Sequence, residues 1–402
     1  MRAALDRAAA TERSDSTAAV LVALVVAGLG LRSALLAVGP LAPEISADLD
    51  VSHSVTGLLT TLPLLLMGLS AVVATGIGER LGDRMAIGLS LAAIAVGSLC
   101  RALVPGIAPV LLLTIPIGVG IGVCGVLLPV FVKHRLPQRP AMATGLYVSG
   151  IIIGSSLTVS AAVPLSLASG GWRGALFVFG LATAVSAVAW FVLVDPIERP
   201  TRGPIRMPSV PWRRPVAWLL VAMFALQALL FYGLITWLVP ALVERGWQPA
   251  EAGAVAGALN VAGLPGTLLV TYAGDRVSRV RAFVASSAVS LVAVVGFAVA
   301  SDLAWIWTIS GGVALGAIFA LVMTLPLDAA DRPQEAGGYA AFMLGAGYAL
   351  SSAAPAVLGA LRDTSGSFTS SLWVLAATAA LLLAGAPFLG RVRRPGAAVA
   401  QP

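Results

Sequence analysis

An all-helical membrane fold of twelve transmembrane helices in two six-helix bundles, both termini cytoplasmic, is the class this sequence predicts. Three observations predict it. Of the 402 residues, 58% are hydrophobic and only 11% are charged, outside the range of soluble domains. Cutting the chain at its charged or turn-rich gaps leaves twelve apolar stretches of spanning length. The basic residues are divided unevenly among those gaps. With the N-terminus inside, 20 of the 25 lysines and arginines fall on the cytoplasmic side, and only Arg101, Arg173, Arg245 and Arg362 fall on the other.

A tail, 1–17, precedes the first apolar stretch, 18–42. That stretch is longer than a signal core, lacks a small-residue cleavage site after it, and runs into Gly39-Pro40-Leu41-Ala42-Pro43, so it is expected to remain in the mature chain. The next spans fall at 53–76, 85–104, 107–132, 141–166 and 173–194. Glycines at 118, 120, 122 and 125 in the fourth, and at 145, 150 and 154 in the fifth, are spaced for close approach of helix backbones. The proline- and arginine-rich stretch 195–214 is read as an extended cytoplasmic linker between the bundles 18–194 and 215–390. The second bundle contributes spans at 215–242, 250–273, 281–300, 303–327, 336–360 and 369–390, followed by a tail, 391–402. Kinks are expected at Pro63, Pro129, Pro240, Pro265 and Pro326.

The two halves also echo each other. Pro40 and Glu44 stand 200 residues before Pro240 and Glu244, and Leu81-Gly82-Asp83-Arg84 has a counterpart in Ala273-Gly274-Asp275-Arg276. Such parallel repeats point to bundles related by an axis along the membrane normal, with a ligand held between them.

Several classes of function are excluded by what the chain lacks. Its net charge of +7 is scattered between apolar segments and not gathered on a stripe, which argues against nucleic acid. Cys100 and Cys124 both lie inside apolar segments, and His53 and His134 lie at segment edges, so neither a disulfide framework nor a metal-ligand spacing is present. No catalytic motif, nucleotide-binding loop or cofactor signature appears, and none of these is expected.

Arg32 is the residue that demands an explanation. It lies roughly 21 Å from one end of the first helix and roughly 15 Å from the other. A charge that deep costs on the order of 3 kcal/mol or more. Apart from loops and helix ends no acidic residue accompanies it, and Glu44 is roughly 18 Å away along the helix. An unpaired buried guanidinium favours an anion, or a polar solute rich in hydrogen-bond acceptors. The alternative is a structural role on the carbonyls of a broken helix.

The loop Gly78-Glu79-Arg80-Leu81-Gly82-Asp83-Arg84 resembles the Gly-x-x-x-Asp-Arg loop motif of the major facilitator superfamily. In that family the aspartate and arginine brace neighbouring helix ends and stabilise one state of the rocking cycle. The resemblance implies gating roles for Asp83, Arg84, Asp275 and Arg276. Met85-Ala86 replaces the usual aromatic-glycine continuation, which weakens the brace. Within the superfamily, the chain is similar to the cyanate and 2-nitroimidazole permeases at Leu31-Arg32, Val38 to Glu44, Leu127-Leu128-Pro129, Thr144 to Tyr147, Leu229 to Tyr232 and Thr236-Trp237-Leu238.

The resemblance implies a multi-pass cell-membrane transporter, a monomer, that moves a small anion or small polar solute by alternating access. Arg32 would hold the substrate, with Tyr147, Gln227, Tyr232, Trp237 and Asn260 as facing groups. Tyr232 takes the place of Arg32 under the 200-residue offset. Steps of five residues separate Gln227, Tyr232 and Trp237 by roughly 140° on a helix, so at most two of them face one cavity. Trp237 reads equally as an interfacial anchor, and Tyr147 and Asn260 as interhelical hydrogen-bonding groups. With no carboxylate or histidine deep in a span, coupling is expected to be facilitated diffusion, exchange of anions, or proton cotransport through Glu44 or Glu244. Export of a neutral heteroaromatic compound, and a receptor or scaffold that binds without transport, are the competing readings.

Overall fold

The computed structural model describes residues 2–196, 211–273, 276–330 and 332–391. Most of the linker, the final residues of the chain, and Asp275 with its neighbour Gly274 lie outside the described residues.

The described residues are helical almost throughout. The helices are α1 (Arg2–Leu31), α2 (Ser33–Leu36), α3 (Val38–Leu49), α4 (His53–Leu81), α5 (Asp83–Leu103), α6 (Ile107–Arg135), α7 (Pro140–Ala168) and α8 (Trp172–Leu193). There follow α9 (Pro215–Val243), α10 (Pro249–Ala273), α11 (Arg279–Val299), α12 (Ala304–Ala329), α13 (Pro333–Ser351), α14 (Ala354–Ser365) and α15 (Phe368–Gly385). Among the described residues these make twelve spans long and apolar enough to cross a bilayer. Two spans are broken helices. The first is α1, α2 and α3 in succession, and the eleventh is α13 followed by α14.

Proline accounts for part of this. Pro40 and Pro355 have no N–H to give to the carbonyls of Leu36 and Ser351, so each helix interrupts about one turn before its proline. The earlier interruption, at Arg32, has another cause. The Ser33 hydroxyl donates back to the Leu29 carbonyl at 3.1 Å, a bond that bends helices. The Arg32 carbonyl accepts from both Leu35 N at 3.1 Å and Leu36 N at 3.0 Å, which tightens the turn. Pro63, Pro129, Pro240, Pro265 and Pro326 all fall inside helices that continue past them.

Within the first half, α1 packs on α7 and α8, and α5 on α6 and α8. Within the second, α10 packs on α12, α9 on α13, and α11 on α12 and α15. Three seams join the halves: α4 with α13 and α14, α7 with α10, and α3 with α9. Small residues line them. Gly57 lies against Pro355 and Ala356, Gly359 against His53, and Gly257 against Ser156 and Ser160. The Ser156 hydroxyl crosses one seam to the Gly257 carbonyl at 2.7 Å.

The glycine stripes are used mostly as expected. Gly118 and Gly122 meet α4, Gly120 meets α5, and Gly150 and Gly154 meet α1. Gly125 and Gly145 have nothing within 4 Å of where a Cβ would stand, so they serve no such contact.

At Gly39, an added Cβ would stand 2.6 Å from the Ile235 carbonyl oxygen and 2.9 Å from Thr236 Cα. Gly39→Val is therefore expected to lower stability by about 1–3 kcal/mol through overpacking of the α3–α9 seam. Thermal unfolding of the purified protein measures this, and an unchanged melting temperature would contradict it.

Candidate functional site

Arg32 stands at the interruption between α1 and α2, with φ −110° and ψ −1°. The residue is half-buried, but its Nε is sealed from solvent and has no hydrogen-bond partner. Its polar neighbours are the hydroxyls of Tyr232 on α9 and Tyr348 on α13. Among the described residues no carboxylate pairs with it. Aromatic rings complete the wall. Tyr232 and Tyr348 have centroids 6.4 Å apart, Phe224 lies edge-on to Tyr348 at 4.9 Å, and Phe231 edge-on to Tyr232 at 5.1 Å. The arrangement is one cation from the first half facing two phenols from the second. A buried charged donor left without an acceptor costs roughly 1–3 kcal/mol or more.

The remaining expected residues divide. Gln227 is buried on α9, five residues before Tyr232. The Asn260 amide Nδ2, on α10, is a second sealed donor with no acceptor. Tyr147 is buried on α7, whose backbone there packs against Gly28, one turn before Arg32. Trp237 is used elsewhere. Its indole N–H donates to the Pro355 carbonyl at 2.8 Å, and its ring packs on Phe368 and His53 at centroid separations of 5.1 and 6.1 Å. It is a seam residue at the end away from the termini, because its one donor is already engaged by the broken eleventh span.

Glu44 and Glu244 both make contacts at helix ends. Glu44 accepts from Trp172 N at 2.8 Å and Ser166 Oγ at 2.5 Å, so it caps the N-terminus of α8. Glu244 accepts from Phe368 N at 2.9 Å at the start of α15 and lies 3.6 Å from Arg362. Both carboxylates accept backbone N–H groups at helix N-termini.

Asp83 contacts His134 at 3.1 Å, and Arg84 donates to the Phe191 carbonyl at 2.7 Å and to the Val194 carbonyl. These tie α5 to the ends of α6 and α8. In the second half Arg279 and Asp328 bridge α11 to α12 at 2.5 Å in the place that Asp83 and His134 take in the first. Arg276 lies over the Tyr272 ring at 5.6 Å. Asp275 lies outside the described residues.

Two features were not foreseen. Tyr348 is one of only five tyrosines in the chain, and its position inside a span was the signal available. The other is Asp363. Its carboxylate takes His53 Nδ1 at 2.8 Å, His53 N at 3.0 Å and Ser54 N at 2.9 Å, capping α4 across the seam. Of the ion pairs among the described residues, this one joins the two halves.

The four arginines assigned to the sparsely charged side all act as braces. Arg173 donates to the Val104 carbonyl at 2.6 Å, and Arg362 meets Glu244. Arg245 donates to the carbonyls of Phe297 and Ala298, the latter at 3.0 Å. Burial there lowers its basicity below the ordinary arginine value, against the opposing effect of Glu244. Arg101 reaches the Ala34 carbonyl.

Twelve spans in two packed halves, joined by glycine-lined seams, define the class of a two-bundle membrane transporter. Residues 19–355 match the model of the Major Facilitator Superfamily, and the chain belongs to that family. It is 30% identical over 87% of its length to the cyanate transport protein CynX of Escherichia coli (strain K12), covering 91% of that protein. It is 28% identical over 92% of its length to the 2-nitroimidazole transporter of the same organism, covering 95% of it. The fold also matches the crystal structure of a D-xylose–proton symporter with a TM-score of 0.77 at 11% identity, over 94% of this chain and 98% of the other. The chain is thus a multi-pass transporter of small solutes in the cell membrane, and not an enzyme.

Glu44→Gln is expected to lower stability by about 1 kcal/mol through loss of the α8 cap, and Glu244→Gln by less, while transport KM stays unchanged. Thermal unfolding beside substrate titration checks this. A shift in KM with stability intact would return these carboxylates to the coupling path.

Proposed function

We propose that this protein carries a small anion or anion-like polar solute, of the size and charge of cyanate, with Arg32 as the binding cation. One observation carries the reading: a sealed guanidinium Nε with no acceptor, faced by neutral phenols and, among the described residues, by no carboxylate. An arriving anion supplies the missing acceptor and charge together. Tyr232 and Tyr348 donate beside it, and Asn260, Gln227 and Tyr147 shape the surroundings. Relatives that carry cyanate and a nitro-substituted ring agree with this, since both solutes present electron-rich acceptor atoms.

The division into bundles 18–194 and 215–390, with the termini and the linker cytoplasmic, follows from the charge bias and fits the packing. In that orientation the His53–Asp363 clasp is the outer gate, closed here. Asp83, Arg84, Asp275 and Arg276 act on the inner side by holding helix ends while the bundles rock. The protein works as a monomer by exchange or facilitated diffusion. Proton cotransport through Glu44 or Glu244 is the weaker route, because both carboxylates already serve as caps.

The aromatic enclosure of Phe224, Phe231, Tyr232 and Tyr348 favours a second reading, export of a planar heteroaromatic.

A thermal-shift screen of wild type and Arg32→Gln against cyanate, nitrate and neutral azoles separates the two. A ligand at about 100 times its dissociation constant adds roughly 2.7 kcal/mol to the folded state. An anion that stabilises wild type and not Arg32→Gln is the expected result, accompanied by loss of uptake in a variant that remains folded. Equal stabilisation of both by azoles alone would make Arg32 structural. For the gate, the double variant His53→Cys/Asp363→Cys is expected to cross-link under oxidation and stop transport until reduced. Unimpeded transport in the cross-linked protein would remove the clasp from the cycle.

A further inference from the structure

A second buried cation lies behind the break that presents Arg32. Arg101, near the C-terminal end of α5, is 1% exposed and ranks with Trp190 and Trp237 among the largest fully enclosed side chains. Its Nη2 donates to the Ala34 carbonyl, and its Nε is sealed with no partner. Ala34 belongs to α2, the four-residue segment isolated between the turns at Arg32 and Ala37. Ala102, beside Arg101 in sequence, packs in one cluster with Ala37, Val38 and Leu41 of the same broken span.

In a bilayer the carbonyls of a broken helix must find donors within the protein, since water is absent. Arginine suits this task. It carries only donors, stays charged, and bonds carbonyls more strongly than a neutral group does. The break is therefore pinned on both sides of Arg32: before it by Ser33 Oγ on the Leu29 carbonyl, and after it by Arg101 on the Ala34 carbonyl. We propose that Arg101 is a positioning residue that fixes the α1–α2 break and with it the direction in which Arg32 faces Tyr232 and Tyr348. The consequence for affinity rests on the reading of Arg32 as the substrate cation. Fixing the break does not.

The test uses full-length protein in nanodiscs, as wild type, Arg101→Gln, Arg101→Lys and Arg32→Gln. Two quantities are read: amide hydrogen exchange at residues 33–38 relative to 20–30, and the KM and maximal rate of anion exchange in liposomes. In Arg101→Gln, exchange at 33–38 is expected to quicken at least tenfold and KM to rise at least tenfold with the maximal rate little changed. Arg101→Lys should recover part of both. Wild-type exchange and KM in Arg101→Gln would overturn the proposal, as would a general loss of stability with KM unaltered in the folded fraction. If Arg32→Gln retains wild-type anion affinity, the substrate role of Arg32 fails by itself, and the exchange rates at 33–38 still decide whether Arg101 holds the break.

Discussion

Within the hydrocarbon layer each bare donor of a guanidinium costs free energy, and so does each bare carbonyl of a broken helix. Arg32 brings both demands to one place, because it sits at the interruption of the first span. The carbonyl side is met from within the protein by Ser33 and Arg101. The charge is met only in part, by two phenols from the other half. That imbalance leaves Arg32 Nε a sealed donor with no acceptor, and the proposed anion site rests on it.

Around that site the two halves meet similar needs with unlike residues. Glu44 and Glu244 cap the sixth and twelfth spans. Arg173 and Arg245 brace the carbonyls that end the third and ninth. Asp83 with His134, and Arg279 with Asp328, tie corresponding helix ends. Against such correspondence the replacement of Arg32 by Tyr232 under the 200-residue offset stands out. The peripheral duties are duplicated, and the position of Arg32 is not.

The seams explain how such halves can move. Glycine and serine at the contacts of α4 with α14, α7 with α10 and α3 with α9 let backbones touch directly, with few long side chains to disengage. Asp363 adds a polar contact at one end of the molecule, where its carboxylate gathers the first amides of α4 and the His53 ring. Trp237, bonded to Pro355 and packed on Phe368, thickens that same end.

The helical membrane class, the number of spans, and the anomaly of Arg32 were all determined by the sequence alone. Span length, apolar content and the depth of a charge along a helix are properties of contiguous residues. The partners across the molecule were not. Tyr348 lies more than 300 residues from Arg32, and Asp363 lies 310 from His53. Arg101 reads as a loop charge until α5 is seen to carry it into the interior against Ala34. Glu44, Glu244 and Trp237 drew attention as polar or aromatic groups near helix ends, yet their bonds go to α8, α15 and α14. Which acceptor a buried donor finds depends on how distant helices pack. Only the tertiary structure decided which charges brace helix ends and carbonyls and which one, Arg32, faces two phenols.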